Sequence, residues 1–157
     1  MNNNSKALMV VVITLITGFL AFKSFQNLQT VPNLIEQSTT EYTDIEINGV
    51  TIKAELAKTD AQKAAGLMNR TQLGRYSGML FIYNNEAQRT FWMRNTLISL
   101  DIIFLNAEKE VVSISAQTTP NQTDKLYYSM FPAQYILELN AGMAEELELK
   151  PGNTIEF

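Results

Sequence analysis

The sequence predicts an α+β, β-rich fold, a single compact β-barrel or sandwich-like domain with two short helices. Three observations carry this expectation. Short runs rich in Ile, Val and Phe recur between turn residues, at the length of strands. An Asn48-Gly49 pair is flanked on both sides by alternating apolar and polar residues, the strongest short-range hairpin pattern. Within residues 42–157 only two stretches, both short, read as helix. At 157 residues and 46% apolar content, the chain has material for one such domain and an N-terminal attachment.

The domain is expected over residues 42–157. Thr43-Asp-Ile-Glu-Ile47 and Val50-Thr-Ile-Lys-Ala-Glu-Leu56 form the arms of the hairpin. Thr59-Asp-Ala-Gln62 is a capping-box pattern and predicts a helix from Asp60 to about Met68, with Gly66 near its end as a cap or a point of close approach. Gly78–Tyr83 reads as a strand and Asn84-Asn85-Glu86 as the turn leading into Thr90-Phe-Trp-Met93. Leu100–Leu105 and Val111–Ser115 are strands joined by the turn Asn106–Glu110. Residues 117–130 are loop-like around Pro120, and Tyr135–Leu139 is the next strand, with Glu138 directed away from the face of Tyr135, Leu137 and Leu139. A short acidic helix over Gly142–Leu149 leads to Lys150-Pro-Gly-Asn153, a type II turn by its Pro-Gly centre, before the final Thr154-Ile-Glu-Phe157.

Residues 1–23 read as a signal-anchor or signal peptide. Ala7–Phe22 is uncharged and mostly apolar between Lys6 and Lys23, slightly short of the usual span of about 17–25 residues, a gap that snorkelling lysines close. Small-x-small cleavage patterns fail on Phe19 and Phe22, which favours an uncleaved anchor; cleavage would give a secreted protein. Residues 24–41 are polar and contain Pro32, as suits a tether. Either reading places the domain outside the cytoplasm, in a periplasmic or extracellular setting.

Composition closes several chemistries. The chain has no Cys and no His, so it lacks thiolate nucleophiles, disulfides, His- or Cys-ligated zinc and the usual catalytic triads. No metal site and no cofactor is expected. Residues 30–157 carry 10 Lys and Arg against 16 Asp and Glu, a charge of -6, which repels phosphate backbones, so no nucleic acid is expected as a partner. The single methionines among apolar neighbours, Met68, Met79, Met93, Met130 and Met143, read as core filling.

The stretch Arg89–Leu105 sets Arg94, Asn95, Thr96 and Asp101 within an apolar run that also holds the only tryptophan, Trp92. Polar groups in such surroundings must be paired or cost roughly 1–3 kcal/mol each. Arg70, Arg94 and Asp101 are the leading candidates for ligand binding, with Trp92, Asn95 and Thr96 beside them and Glu138 next. An arginine fork binds a carboxylate, a phosphate or sugar hydroxyls. The same residues also admit a structural reading: Asp101 pairs internally or accepts backbone N–H groups, Arg94-Asn95-Thr96 forms a turn, and Trp92 packs in the core, where a lone tryptophan is expected.

Several of these pieces occur together in a known family. Gly66-Leu-Met-x-Arg70, Gly78-Met-Leu-Phe81, Phe91-Trp-Met-Arg-Asn-Thr96, Leu100-Asp-Ile-Ile-Phe104 and Leu137-Glu-Leu-Asn-Ala-Gly142, followed by Gly152, resemble domain-of-unknown-function family 192 over roughly residues 45–157. The resemblance implies a compact β-rich domain, often behind a signal or anchor segment, and implies no particular activity.

The leading functional expectation is a membrane-tethered extracytoplasmic domain that binds a ligand or an envelope partner around Arg94 and Asp101. A hydrolase of envelope glycans using Asp101 and Glu138 is the first alternative, and it requires the two carboxylates to face one cleft. An interaction domain of an envelope assembly is the second, and it requires an exposed apolar patch.

Overall fold

A computed structural model describes residues 40–157; the apolar segment Ala7–Phe22 and nearly all of the expected tether lie outside them. Among the described residues no helix is long and apolar enough to cross a membrane.

The hairpin forms as its sequence dictates. β1 (Tyr42–Ile47) pairs antiparallel with β2 (Val50–Ala57) in a register running from Ile47↔Val50 to Tyr42↔Glu55. Asn48 and Gly49 both take positive φ, 49° and 82°, as a tight two-residue connection demands. β2 is followed by α1 (Asp60–Ala65), whose N-cap Thr59 accepts the Gln62 N–H at 3.2 Å while Gln62 Oε1 accepts the Thr59 N–H at 2.9 Å. The helix stops at Ala65, short of the expected Met68. Gly66 ends it at φ 47°, ψ -137°, a conformation that residues with a Cβ avoid, and donates its N–H to the Gln62 carbonyl at 2.8 Å.

β3 (Ser77–Ala87) pairs parallel with β2, and α1 lies in the crossover that such a pair needs. Asn84-Asn85-Glu86, expected as a turn, stays within β3, where the register against the neighbouring strand shifts between Ile82 and Ala87. β4 (Thr90–Phe91) leaves the main sheet, and β5 (Leu100–Leu105) and β6 (Val111–Ser115) re-enter it as an antiparallel pair. β7 (Tyr127–Tyr128) pairs with β4 in a separate two-stranded ribbon. β8 (Ala133–Asn140) inserts between β3 and β5, and α2 (Met143–Glu146) follows it. The main sheet has the order β1-β2-β3-β8-β5-β6 and is antiparallel except at β2–β3.

The sheet does not close into a barrel, and the sandwich-like alternative describes it. Apolar residues cover both faces. On one, Ile45, Ile52, Leu80, Ile103, Leu137 and Leu139 pack with Met143, Ala144 and Leu147 around α2. On the other, Met79, Phe81, Ile102, Phe104 and Ile136 pack with Leu67 and Met93. The C-terminal segment spans between the sheet's two margins: Glu46 pairs with Glu156 beside β1, and Glu110 pairs with Thr154 beside β6. Ile155 between them is buried in the first cluster.

Candidate functional site

Register across the sheet places one row of side chains on the second face: Glu55 of β2, Met79 of β3, Glu138 of β8 and Ile102 of β5. The row holds two carboxylates, and their surroundings differ. Glu55 is matched by Arg70, whose guanidinium forks onto both carboxylate oxygens, with Nη2 to Oε2 at 2.6 Å. Hydrogen bonding to Glu55 raises the Arg70 pKa further above its ordinary range. Arg70, a candidate ligand-binding residue by sequence, is thus occupied by an internal ion pair.

Among the described residues Glu138 has no such partner. It is 5% exposed and sits between Met79 and Ile102. Burial pushes its carboxyl pKa up to about 8, and among the described residues no hydrogen bond or ion pair offsets the loss of water. The residual exposure of Glu138 opens on a cavity of about 30 Å³. Volume of that order admits two or three water-sized groups, since each needs about 10–15 Å³. Its walls come from the end of α1 and the Gly66-Leu67-Met68 turn, from Phe81 on β3, and from Phe91, Trp92 and Thr96 on the β4–β5 connection.

Local structure explains why these pieces converge. Gly66 lets the chain turn sharply over Phe81; a Cβ there would stand 3.4 Å from the ring's Cζ. Gly78 allows β3 to approach β8 beside Glu138; a Cβ there would meet the Glu138 carbonyl oxygen at 2.7 Å. Phe91 stands edge-on to Phe81, with ring centroids 5.0 Å apart at 90°, which fixes the aromatic wall.

Arg94-Asn95-Thr96 forms the turn allowed by its composition. Asn95 takes φ 57°, its carbonyl accepts the Asn69 N–H at 2.7 Å, and Thr96 is buried with its N–H bonded to the Met93 carbonyl. The turn carries Thr96 into the cavity wall and leaves Arg94 exposed, its guanidinium 5.7 Å from the centre of the Trp92 ring. Trp92 departs from the expectation of a core residue. It is 49% exposed, and Met93 beside it takes the fully buried position.

Asp101 does not join Arg94. It is 0% exposed and points to the opposite face of the sheet, where its Oδ1 accepts the Gln117 N–H at 2.8 Å and its Oδ2 accepts the Ala144 N–H at 2.8 Å. Gly142, the N-cap of α2, has no side chain to cap the helix, and Asp101 supplies the capping carboxylate from β5. The expected polar cluster around Arg94 and Asp101 is therefore not assembled. The carboxylate pair required for glycan hydrolysis is not assembled either. Asp101 pairs with Leu139 and Ile102 with Glu138, so alternation sends Asp101 and Glu138 to opposite faces.

Of the seven sequence candidates, Trp92, Thr96 and Glu138 line one cavity, and Asn95 holds its turn. Sequence reasoning missed Phe81, Phe91 and the Lys63–Met68 stretch as cavity walls. The available signal was the motif pair Gly66-Leu-Met and Phe91-Trp-Met, which read as separate pieces until folding brought them together.

The profile of domain-of-unknown-function family 192 (DUF192), described as an uncharacterized ACR, matches residues 43–157. The chain belongs to this family. A crystal structure of a protein of unknown function from Novosphingobium aromaticivorans DSM 12444 is similar to it with a TM-score of 0.72 and 37% identity, over 78% of this chain and 89% of that one. A second, from Sinorhizobium meliloti 1021 and named provisionally as a transcription regulator, is similar with a TM-score of 0.70 and 30% identity, over 74% of this chain and 94% of that one. Among curated proteins none matches the chain. The matched region of this DUF192 member contains the whole cavity, from Lys63 to Glu138.

Proposed function

We propose that this DUF192 domain is a ligand-binding module, tethered to a membrane by Ala7–Phe22 and held outside the cytoplasm, whose site is the cavity between the end of α1 and Glu138. One observation carries the reading: a largely buried carboxyl that lines a cavity and has no hydrogen-bond or ion-pair partner among the described residues. Burying an ionisable group without compensation costs stability, and a residue that lowers stability marks a place where another requirement governs. Apolar walls with a few convergent polar groups are the usual lining of small-molecule sites, and at about 30 Å³ this cavity takes one end group of such a molecule. The tether rests on the apolar N-terminal segment and its flanking lysines. Regulation of transcription, the provisional role of one similar structure, finds no support in a body carrying a charge of -6 from 10 basic and 16 acidic residues.

The test is amide NMR of the full chain in detergent micelles, titrated with small amines, carboxylates and sugars. Binding at the site shifts Gly66, Thr96 and Glu138 together with the Trp92 indole N–H, and Thr96→Val weakens it. A panel that moves only residues remote from these four refutes the site.

An interaction domain is the second reading, favoured by a specific feature. Leu126, Tyr128, Met130 and Phe131 are all exposed within six residues beside the β4–β7 ribbon. Exposed apolar groups of this size concentrated in one segment mark contact surfaces.

A further inference from the structure

We propose that the DUF192 cavity takes the ammonium end of an alkylammonium ion, with Glu138 as its counter-ion and the rings of Phe81, Phe91 and Trp92 in its walls, the alkyl chain lying outside the cavity. This rests on the ligand-binding reading above and names the chemistry of its ligand. Three features of the cavity favour positive charge. First, the buried carboxyl forms no ion pair among the described residues, and Arg70, the cation of the same row, is committed to Glu55 two strands away. Second, aromatic rings attract cations to their faces, and three of them border the cavity. Third, α1 ends at the cavity. Its last-turn carbonyls of Lys63 and Ala64 accept no hydrogen bond among the described residues, and free carbonyls at a helix C-terminus carry partial negative charge.

The cations already near the cavity are engaged elsewhere. The Lys63 ammonium lies 3.4 Å from Asp60 and 4.6 Å over the Tyr83 ring. Arg89 stacks on that same ring at 3.8 Å, and Arg94 stacks on Trp92 at the rim. Tyr83 on β3 is itself raised in pKa, first by burial, and therefore stays neutral beside Glu138. β5 faces Glu138 with the apolar Ile102. An anion entering the cavity would find no unpaired cation there among the described residues, since Lys63 already pairs with Asp60, whereas an ammonium supplies the ion-pair partner that Glu138 lacks.

The proton balance gives the test its sign. At neutral pH the carboxyl is protonated, since its pKa stands at about 8. An alkylammonium docking against the carboxylate drives that proton into solvent. The ammonium keeps its own proton, because amines of the lysine type titrate near 10.4. Affinity therefore rises with pH until Glu138 is ionised in the free protein, by roughly 50-fold between pH 6 and pH 8.

The experiment titrates the full chain in micelles with n-butylammonium, n-butanol and butyrate at pH 6, 7 and 8, read by amide NMR and by calorimetry in two buffers of different ionisation enthalpy. The expected result is n-butylammonium binding at Gly66, Thr96 and Glu138, tightening with pH and releasing a proton at pH 7. Trp92→Leu, at an exposed position, weakens binding and keeps the pH slope; Glu138→Gln removes the slope and the proton release. If n-butanol or butyrate moves the same amides and n-butylammonium does not, the ammonium is refuted and the ligand-binding cavity stands. If none of the three moves them, both fall. Binding of n-butylammonium unaffected by Glu138→Gln overturns the counter-ion.

Discussion

Glu138 and Asp101 lie one register step apart on neighbouring strands, yet they meet opposite treatment. Asp101 accepts two backbone N–H groups and holds α2 to β5. Asp101→Asn turns a donor toward one of those amides, and we expect it to lower stability by about 1.5–3 kcal/mol, the range for hydrogen bonds to charged groups. Arg94→Gln, at an exposed side chain, should stay within about 0.5 kcal/mol in the same urea unfolding series. Equal losses in the two would refute this division. Glu138 acts in the other direction. Its pKa rises from the ordinary 4.5 to about 8 on folding, so the folded state holds the proton more tightly than the unfolded chain. Stability is then full below about pH 4.5 and declines as pH rises toward 8, where the decline levels off. The total is about 3–6 kcal/mol at 1.36 kcal/mol per pKa unit. Glu138→Gln should match the wild type at pH 4.5 and exceed it at pH 8, measured as denaturation midpoints. A variant less stable at both pH values would show that Glu138 has a structural partner after all.

The junction of β3 and β8 decides how Glu138 is presented. Gly78 has no room for a Cβ, because the obstacle at 2.7 Å is the backbone carbonyl of Glu138 itself. Gly78→Ala should therefore force the strands apart at this point, costing about 1–3 kcal/mol as overpacking does, and should shift the Glu138 amide resonance as well. A neutral substitution would mean that β8 gives way freely. Strand positions were legible in the sequence wherever apolar runs ended at turn residues, as at Asn48-Gly49 and Asn106–Glu110. Asn84-Asn85-Glu86 was not, since turn-forming residues also suit an exposed bulge within a long strand. Trp92 was misplaced for a related reason. An apolar run suggests burial for each member, but a two-residue strand followed by a turn buries Met93 and releases its neighbour.

At the scale of the molecule, sequence could specify the β-rich class and not how the sheet is covered. The Leu137-Glu138-Leu139 alternation identifies one buried face, and the unbroken apolar runs Met79–Ile82 and Ile102–Leu105 signal burial of the other; that α1, β4 and β7 are the elements that cover it is encoded by no local pattern. The site lay in the same blind spot, because Gly66, Phe91 and Glu138 meet only through tertiary packing. The C-terminal segment is a second long-range feature. Ile155 lies between the two bridges that link it to the margins of the sheet, and Ile155→Ala should cost about 2–5 kcal/mol. Amide exchange should also accelerate in β1 and at Glu110 together. Faster exchange confined to one margin would refute the link.

That link bears on how the domain carries a mechanical load. The chain enters the fold through β1, so a pull from the N-terminal side reaches Tyr42 first. β1 is bonded along its length to β2, and Glu46 also donates its N–H to the Glu156 carbonyl at 3.2 Å. Ile45 and Ile47 are locked into the core on the same strand. Force on β1 is consequently shared between the hairpin on one flank and the last residues of the chain on the other. The two ends of the domain brace each other, and the cavity, on the far face of the sheet, lies outside that path.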